Sequence, residues 1–354
     1  MSTILFYDAV CQQPYDTRSL GVQALGGSES TLVRVADALG AWVIQHNRTE
    51  DWQRYRRPQP LPGITSVIVM RDARTLPAIH GYFPAARWFL WLHDRVRPHG
   101  SRARWLAASA ALLRELAVTA VCVSDSQRTG VSATLRALGL GDSMRCLRLY
   151  NPVDDALQPD DTPVDERKLV FFSSPNKGLD FALDAFGALR RHMPDLRLVV
   201  GNPGYKASRV VGLPGVEFLG ALPQQRMHAE VRSALCTFAP NFVIPETFGL
   251  VFAESHALGT PVLTHDCGAA LEVVADPLQV LPVPAACRLY EALVGALPQR
   301  WRRAPARLAA AAGMFDVYAQ RIRAWRSGAR PRTAPDPRFR LSAIAAQWRA
   351  LLAA

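Results

Sequence analysis

Glu246 and Glu254 stand with seven residues between them in the string PETFGLVFAESHALGTPVLT, which also carries Phe248, Gly249 and Leu250. A carboxylate has two acceptor oxygens and suits the adjacent hydroxyls of a sugar or a ribose. A glycine at the mouth of an apolar helical run adds backbone N–H groups that can meet a sugar or a phosphate. The pattern predicts Glu246 in the loop before a helix and Glu254 about a turn into it, both bordering one cleft. Two solvated acids flanking an apolar helix start would show the same bare spacing. The whole string, with HALGTPVL at its end, is far more specific than the pair.

Other chemistry-bearing residues lie upstream. In ALGGSES, Gly26 and Gly27 permit a close backbone approach ahead of a helix whose first turn carries partial positive charge. That turn either receives an anion or merely starts the helix, with Ser28 or Ser30 as N-cap and Glu29 in a first turn that favours acids. It fits neither GxGxxG nor a Walker loop. Lys177, in SSPNKGLD, is notable because only Lys168, Lys177 and Lys206 are lysines and every other cation is arginine. A compact ammonium is not interchangeable with a guanidinium; the alternative is a solvated charge at a strand–helix turn. His93, in WFLWLHD, closes an apolar run at the end of a strand where parallel α/β sheets take their ligands, or else only caps that strand. His46, in VIQHNR, is a weaker candidate. No HExxH, Cys/His ligand spacing or DxD occurs, so no metal and no resident cofactor is expected.

These residues need a scaffold. Short apolar runs alternate with amphipathic stretches, the pattern of parallel βα units. Strands are expected at TILFYDAV, AWVIQHN, TSVIVMR, RWFLWLH, AVCVSDS and RCLRLYN, with helices over 29–39, 103–116 and 127–138. The acidic, proline-bearing stretch 155–166 reads as a linker. Beyond it, KLVFFSS, LRLVV, VEFLG, LCTFAP and PVLTHD alternate with helices at LDFALDAFGALRRHM, near 224–234 and from about 248. The expected organisation is therefore an α/β lobe over 1–154, the linker, and a second α/β lobe over 167–330. The terminal amphipathic helix over 338–354 is expected to return to the first lobe, because its apolar stripe needs cover.

The 354 residues, 49% hydrophobic and 20% charged, suffice for two buried cores. No apolar run approaches the ~18 residues that span a bilayer, and no leader pattern is read. The cysteines Cys11, Cys122, Cys146, Cys236, Cys267 and Cys287 are scattered without a CxxC pair, which fits a reducing cytoplasm. A net charge of +11 favours an anionic partner. No nucleic-acid module is visible, and nucleic acid is not expected as a partner. The helix region SRARWLAASAALLREL, with Arg95 and Arg97 before it, either rests on an anionic membrane surface or faces the core with solvated arginines. Basic stretches WRRAPARLAAAAG and RIRAWRSGARPR add to the positive surface.

ETFGLVFAESHALGTPV resembles the E-x7-E signature of retaining glycosyltransferases of the GT-B fold, glycosyltransferase family 4. LGGSESTLVRVADAL, VCVSDSQR, LYNPVD and NKGLDFALDAF resemble that family's other landmarks, in family order over roughly residues 20–275. The resemblance implies two Rossmann-like lobes facing across a cleft, a nucleotide-diphosphate sugar donor held mainly by the second lobe, and a glycan or lipid-linked acceptor. It implies that Glu246 meets the donor sugar and Glu254 the ribose. The amides of Phe248, Gly249 and Leu250 and the ammonium of Lys177 would face the diphosphate, with Gly26 and Gly27 approaching from the first lobe. His93 would lie near the donor sugar and the acceptor hydroxyl. Where the family places an arginine about five residues before the lysine, this chain has Phe172, Ser173 and Ser174; either an arginine from elsewhere replaces it or the serines, Ser173 first, bond a phosphate oxygen. The setting implied is bacterial cell-envelope polysaccharide or lipopolysaccharide assembly, in the cytoplasm or on the inner membrane face. A sugar-nucleotide epimerase of the same fold and a catalytically silent sugar-nucleotide-binding scaffold are the rivals.

Overall fold

The computed structural model describes residues 3–202, 212–293 and 304–354, which fall into two compact units. Trp301–Arg303, at the start of one basic stretch, lie outside the described residues.

The first unit contains the described residues up to Leu20, Gly27–Asp155 and Pro337–Ala354. Its strands are β1 (Ile4–Asp8), β2 (Trp42–Gln45), β3 (Tyr55–Arg56), β4 (Ser66–Met70), β5 (Arg87–Leu92), β6 (Thr119–Cys122) and β7 (Cys146–Arg148). They form one parallel sheet in the order β3-β2-β1-β4-β5-β6-β7. Every residue of β4 is buried, as are five of the six of β5. Parallel strands covered on both faces read as continuous apolar runs rather than alternating ones. The unpredicted β3 is a two-residue edge strand, too short to show a period.

The first unit's helices begin with α1 (Gly27–Leu39), α2 (Leu76–Ile79), α3 (Ser101–Ala108), α4 (Ala110–Glu115) and α5 (Asp125–Ala137). The single helix expected over 103–116 is two, because Ser109 leaves helical geometry at φ −100°, ψ 4°. Ser124 caps α5, its Oγ accepting from the Gln127 amide at 2.9 Å. Because α1 starts at Gly27, Ser28 and Ser30 stand inside its first turn, and Ser30 Oγ donates back to the Gly27 carbonyl at 3.2 Å.

The second unit comprises Gly21–Gly26 and the described residues of Ala156–Asp336, so the boundary falls between Gly26 and Gly27. Its strands β8 (Asp165–Phe171), β9 (Arg197–Asn202), β10 (Val216–Ala221), β11 (Ala234–Phe238), β12 (Val262–His265) and β13 (Val280–Leu281) order as β10-β9-β8-β11-β12-β13, again parallel. Its helices are α6 (Leu179–His192), α7 (Gln224–Arg232), α8 (Leu250–Ala257), α9 (Ala270–Val273), α10 (Ala285–Leu293), α11 (Ala304–Ala311) and α12 (Met314–Ala324). Asp165 and Glu166, read as linker, open β8. The Asp165 amide bonds the carbonyl of Ser233, the residue before β11, at 2.9 Å, and its carboxylate pairs with Arg197 of β9 at 2.8 Å.

The last helix, α13 (Leu341–Ala353), packs within the first unit. Its Trp348 is fully buried, with its ring 5.0 Å from Trp91 and 6.0 Å from Phe6, centroid to centroid. Among the described residues, no helix is long and apolar enough to cross a membrane.

Candidate functional site

In the second unit, β8, β11 and β12 are consecutive neighbours, and their carboxyl ends converge on one set of loops. Open parallel sheets bind ligands at such ends. After β8, the short 3-10 turn Pro175–Lys177 runs into Gly178 at φ +98°, a left-handed conformation that favours glycine. A Cβ on Gly178 would stand 2.6 Å from Asn241 Cγ, so glycine there lets the Lys177 turn close onto the loop after β11. Asn241 shapes that loop: its Oδ1 accepts from the Val243 amide at 2.9 Å and its Nδ2 donates to the Ile244 carbonyl at 2.8 Å.

The result is a hydrogen-bonded ion pair, Lys177 Nζ to Glu246 Oε2 at 2.7 Å, joining the loops that follow β8 and β11. Ser173, Asn241, Lys177 and Glu246 line one pocket floored by Phe171, Phe252 and Thr264. Ser173, where the resemblance leads one to expect an arginine, thus lines the same pocket as the lysine. The Glu246 loop is fixed from below by Gly268, at φ +60°. A Cβ there would lie 2.3 Å from the Glu246 carbonyl oxygen, which accepts from the Ala269 amide at 3.0 Å.

Gly249, at φ +86°, precedes α8, and a Cβ on it would meet the Phe252 ring at 2.5 Å. The first intrahelical bond runs from the Phe252 amide to the Gly249 carbonyl at 2.8 Å, so the Leu250 amide precedes the bonded ladder. Phe248 itself is core, at 1% exposure. Glu254 lies on α8 as expected and is not among the residues that line the pocket of Glu246. It is buried and engaged by α7: Gln224 Nε2 donates to its Oε1 at 2.5 Å. Asn241, Gly268 and Gln224 were not read as site residues from the sequence. Only Gly268 left a trace there, as a glycine just past a predicted strand.

In the first unit, His93 follows β5 and is buried, its ring 4.6 Å from that of Trp91. Burial, reinforced by the nearby Arg71 guanidinium, pushes its pKa down to about 3, so the ring is neutral near pH 7. Its neighbour Asp94 receives Arg71 Nε at 3.1 Å and Arg102 at 2.7 Å. Burial opposes ionisation of Asp94, yet the two guanidiniums outweigh it and hold the carboxyl below its usual range. Arg71 also lies 3.8 Å from Glu29, whose pKa burial raises. Arg71, at the carboxyl end of β4, adopts φ +63°, a conformation uncommon for a non-glycine residue and shared in this chain with Gln53, Ala117 and Ala275. The arginines of α3 and α4 have internal partners: Arg102 has Asp94 and the Trp105 ring, Arg104 the His99 carbonyl, and Arg114 the Gly139 carbonyl. Gly27 opens α1, and Gly26 directly precedes it.

Residues 166–298 match the family model for glycosyl transferases group 1. The phosphatidyl-myo-inositol mannosyltransferase of Mycobacterium leprae is 32% identical over 132 residues, 36% of this chain and 35% of that protein. The Mycobacterium tuberculosis enzyme of the same name is 29% identical over 177 residues, 46% of this chain and 44% of that protein. The chain thus spans less than half the length of these relatives. Among solved structures, Anabaena HepE in complex with UDP-glucose aligns over 99% of both chains, with TM-score 0.65 and 17% identity. AviGT4, a glycosyltransferase involved in avilamycin A biosynthesis, aligns over 99% of this chain and 98% of its own, with TM-score 0.59 and 18% identity. Residues 166–298 are thus similar to the glycosyl transferases group 1 family, and the two parallel-sheet α/β units have the fold of GT-B glycosyltransferases.

Proposed function

We propose that this chain transfers a hexosyl or deoxyhexosyl group from a nucleotide-diphosphate sugar to a glycan or lipid-linked acceptor, retaining anomeric configuration and using no metal. The observation that carries this reading is the Lys177–Glu246 ion pair at 2.7 Å, which lines one pocket with Ser173 at strand ends in the region similar to group 1 glycosyl transferases. As the bond from the anomeric carbon to the diphosphate breaks, negative charge grows on the leaving oxygen. The Lys177 ammonium and the first amides of α8 are preorganised to meet that charge. Glu246 holds the ammonium in place and turns its other carboxylate oxygen toward sugar hydroxyls. The acceptor oxygen bonds the anomeric carbon from the face the phosphate leaves, and its proton departs with that phosphate.

In this reading Ser173 bonds a phosphate oxygen and Glu254 the ribose. Gly26 and Gly27 are read as diphosphate contacts, and His93 as an acceptor contact. The relatives' names supply a mannosyltransferase and a phosphatidyl-inositol acceptor, which supports the hexosyl and lipid-linked parts of the proposal. The proposed setting is cell-envelope polysaccharide or lipopolysaccharide assembly in the cytoplasm, with contact to an anionic inner-membrane face. Co-sedimentation with anionic vesicles at low salt tests that contact, and its absence removes it.

The test of the activity is mass-spectrometric detection of sugar transfer or donor hydrolysis across UDP-, GDP- and dTDP-sugars. Wild-type activity lost in Lys177→Ala and Glu246→Gln is the expected result. Activity that survives both substitutions would overturn the site. Nucleotide binding without turnover by the wild type would favour the scaffold, and epimerised donor without acceptor the epimerase.

A further inference from the structure

Glu254 is 4% exposed, and its carboxylate is met from α7 by two side chains one turn apart. Gln224, the first residue of α7, gives its amide N–H to Oε1 at 2.5 Å. His228 is 7% exposed, with Nε2 at 3.7 Å from Oε2. That separation is too long for a hydrogen bond, and among the described residues Nε2 has no hydrogen-bond partner. A buried polar nitrogen aimed at a buried carboxylate without closing on it is costly to keep for packing alone. Pro223 fixes the entry to α7, so the position of Gln224 is set by the backbone rather than by a mobile loop.

A carboxylate that is to accept from two neighbouring hydroxyls needs both oxygens held at one rotation about its C–C bond. Gln224 fixes Oε1 with a charge-assisted hydrogen bond, which is short and directional. His228 closes the far side, so that Oε2 cannot rotate away without meeting the ring.

We propose that Gln224 and His228 are positioning residues that hold Glu254 so that it selects nucleotides with an intact ribose 2′,3′-diol over 2′-deoxy nucleotides. This rests on the reading above, in which Glu254 meets the ribose. Removing one hydroxyl leaves a buried acceptor without its donor, and sites built to bond a hydroxyl reject ligands lacking it. The expected preference of the wild-type chain is on the order of ten- to a hundredfold.

The experiment is titration calorimetry of the full chain with UDP, GDP and ADP, each paired with its 2′-deoxy counterpart. Gln224→Leu and His228→Leu are expected to weaken the ribo form and spare the deoxy form, narrowing the ratio at least about fivefold. His228→Asn, which keeps a donor, recovers part of it. Because His228 is buried, thermal melts accompany each variant; the half-exposed Gln224 carries the test if His228→Leu does not fold. A wild-type preference that Gln224→Leu, and His228→Leu where it folds, leave intact overturns the positioning role while sparing the donor reading. A wild type that binds nucleotides without preferring the ribo form overturns it as well. A wild type that binds none of the six overturns the donor reading and this inference together.

Discussion

Lys177 and Glu246, 69 positions apart in the chain, meet at 2.7 Å across the ends of two adjacent strands, with the lysine side chain 38% exposed and the glutamate 13%. A half-exposed pair of this kind contributes little to stability, about 0–1 kcal/mol. Its burden is positional. Lys177→Ala is therefore expected to shift the urea midpoint hardly at all while lowering turnover by about 10²- to 10³-fold. Lys177→Arg is expected to rescue only part of that loss, because a planar guanidinium does not occupy the point that an ammonium does. Equal losses of stability and activity in Lys177→Ala would make the pair a structural contact.

Gly268 and Gly187 give opposite expectations for the same substitution. A Cβ on Gly268 enters the Glu246 backbone, whereas one on Gly187, on the exposed face of α6, meets nothing within 4 Å. Gly268→Ala is expected to lower stability by about 1–3 kcal/mol and to displace the Glu246 loop, reducing activity with it. Gly187→Ala is expected to raise stability by up to about 1 kcal/mol, because the unfolded chain loses freedom and the helix gains propensity. Chemical denaturation of the two variants in parallel decides this. A Gly268→Ala protein as stable and active as the wild type would remove the close approach from the account.

The E-x7-E string and NKGLD were legible because each is local: a strand end, a turn and a helix start written in consecutive residues. What the sequence did not reveal is non-local. Asn241 shapes the site by packing under Gly178, and that contact depends on β8 and β11 becoming neighbours. Gln224 reaches Glu254 from another helix, 30 positions away, and a glutamine at a helix start carries no mark of such a partner. The strands came through as apolar runs because both sheet faces are covered. The break at Ser109 did not, because one residue leaving helical geometry does not disturb an amphipathic pattern.

His93 sets an expected pH dependence of stability. Its pKa falls from 6.5 to about 3 on folding. Between those values the unfolded chain binds a proton that the folded chain refuses, so stability is full above 6.5 and declines as pH drops below it. Each unit of pH in that window costs up to about 1.4 kcal/mol. His93→Asn is expected to flatten the fall of the urea midpoint between pH 6.5 and 5 without abolishing it. His265, which burial holds at about 4, titrates in the same direction and remains. Asp94 acts only lower, below the usual carboxylate range, where protonation would release Arg71 and Arg102. A midpoint that falls as steeply in the variant as in the wild type would show that His93 is not held neutral.

Trp348 tests whether the last helix is part of the first unit's core. Its side chain is fully buried against Trp91 of β5 and Phe6 of β1, two strands that flank β4. Further along α13, Arg349 donates to the Ala38 carbonyl at 2.6 Å. Truncating a buried aromatic side chain costs about 3–5 kcal/mol, since the transfer energy is lost and a cavity remains. Trp348→Ala is therefore expected to lower the unfolding free energy by that amount, whereas substitution of the exposed Gln347 leaves it within about 0.5 kcal/mol. Hydrogen exchange gives the independent readout: amides of β1 and β5 lose protection in Trp348→Ala, while those of β9 and β11, in the other unit, keep theirs. Unchanged protection in β1 and β5 would mean that their core closes without the helix.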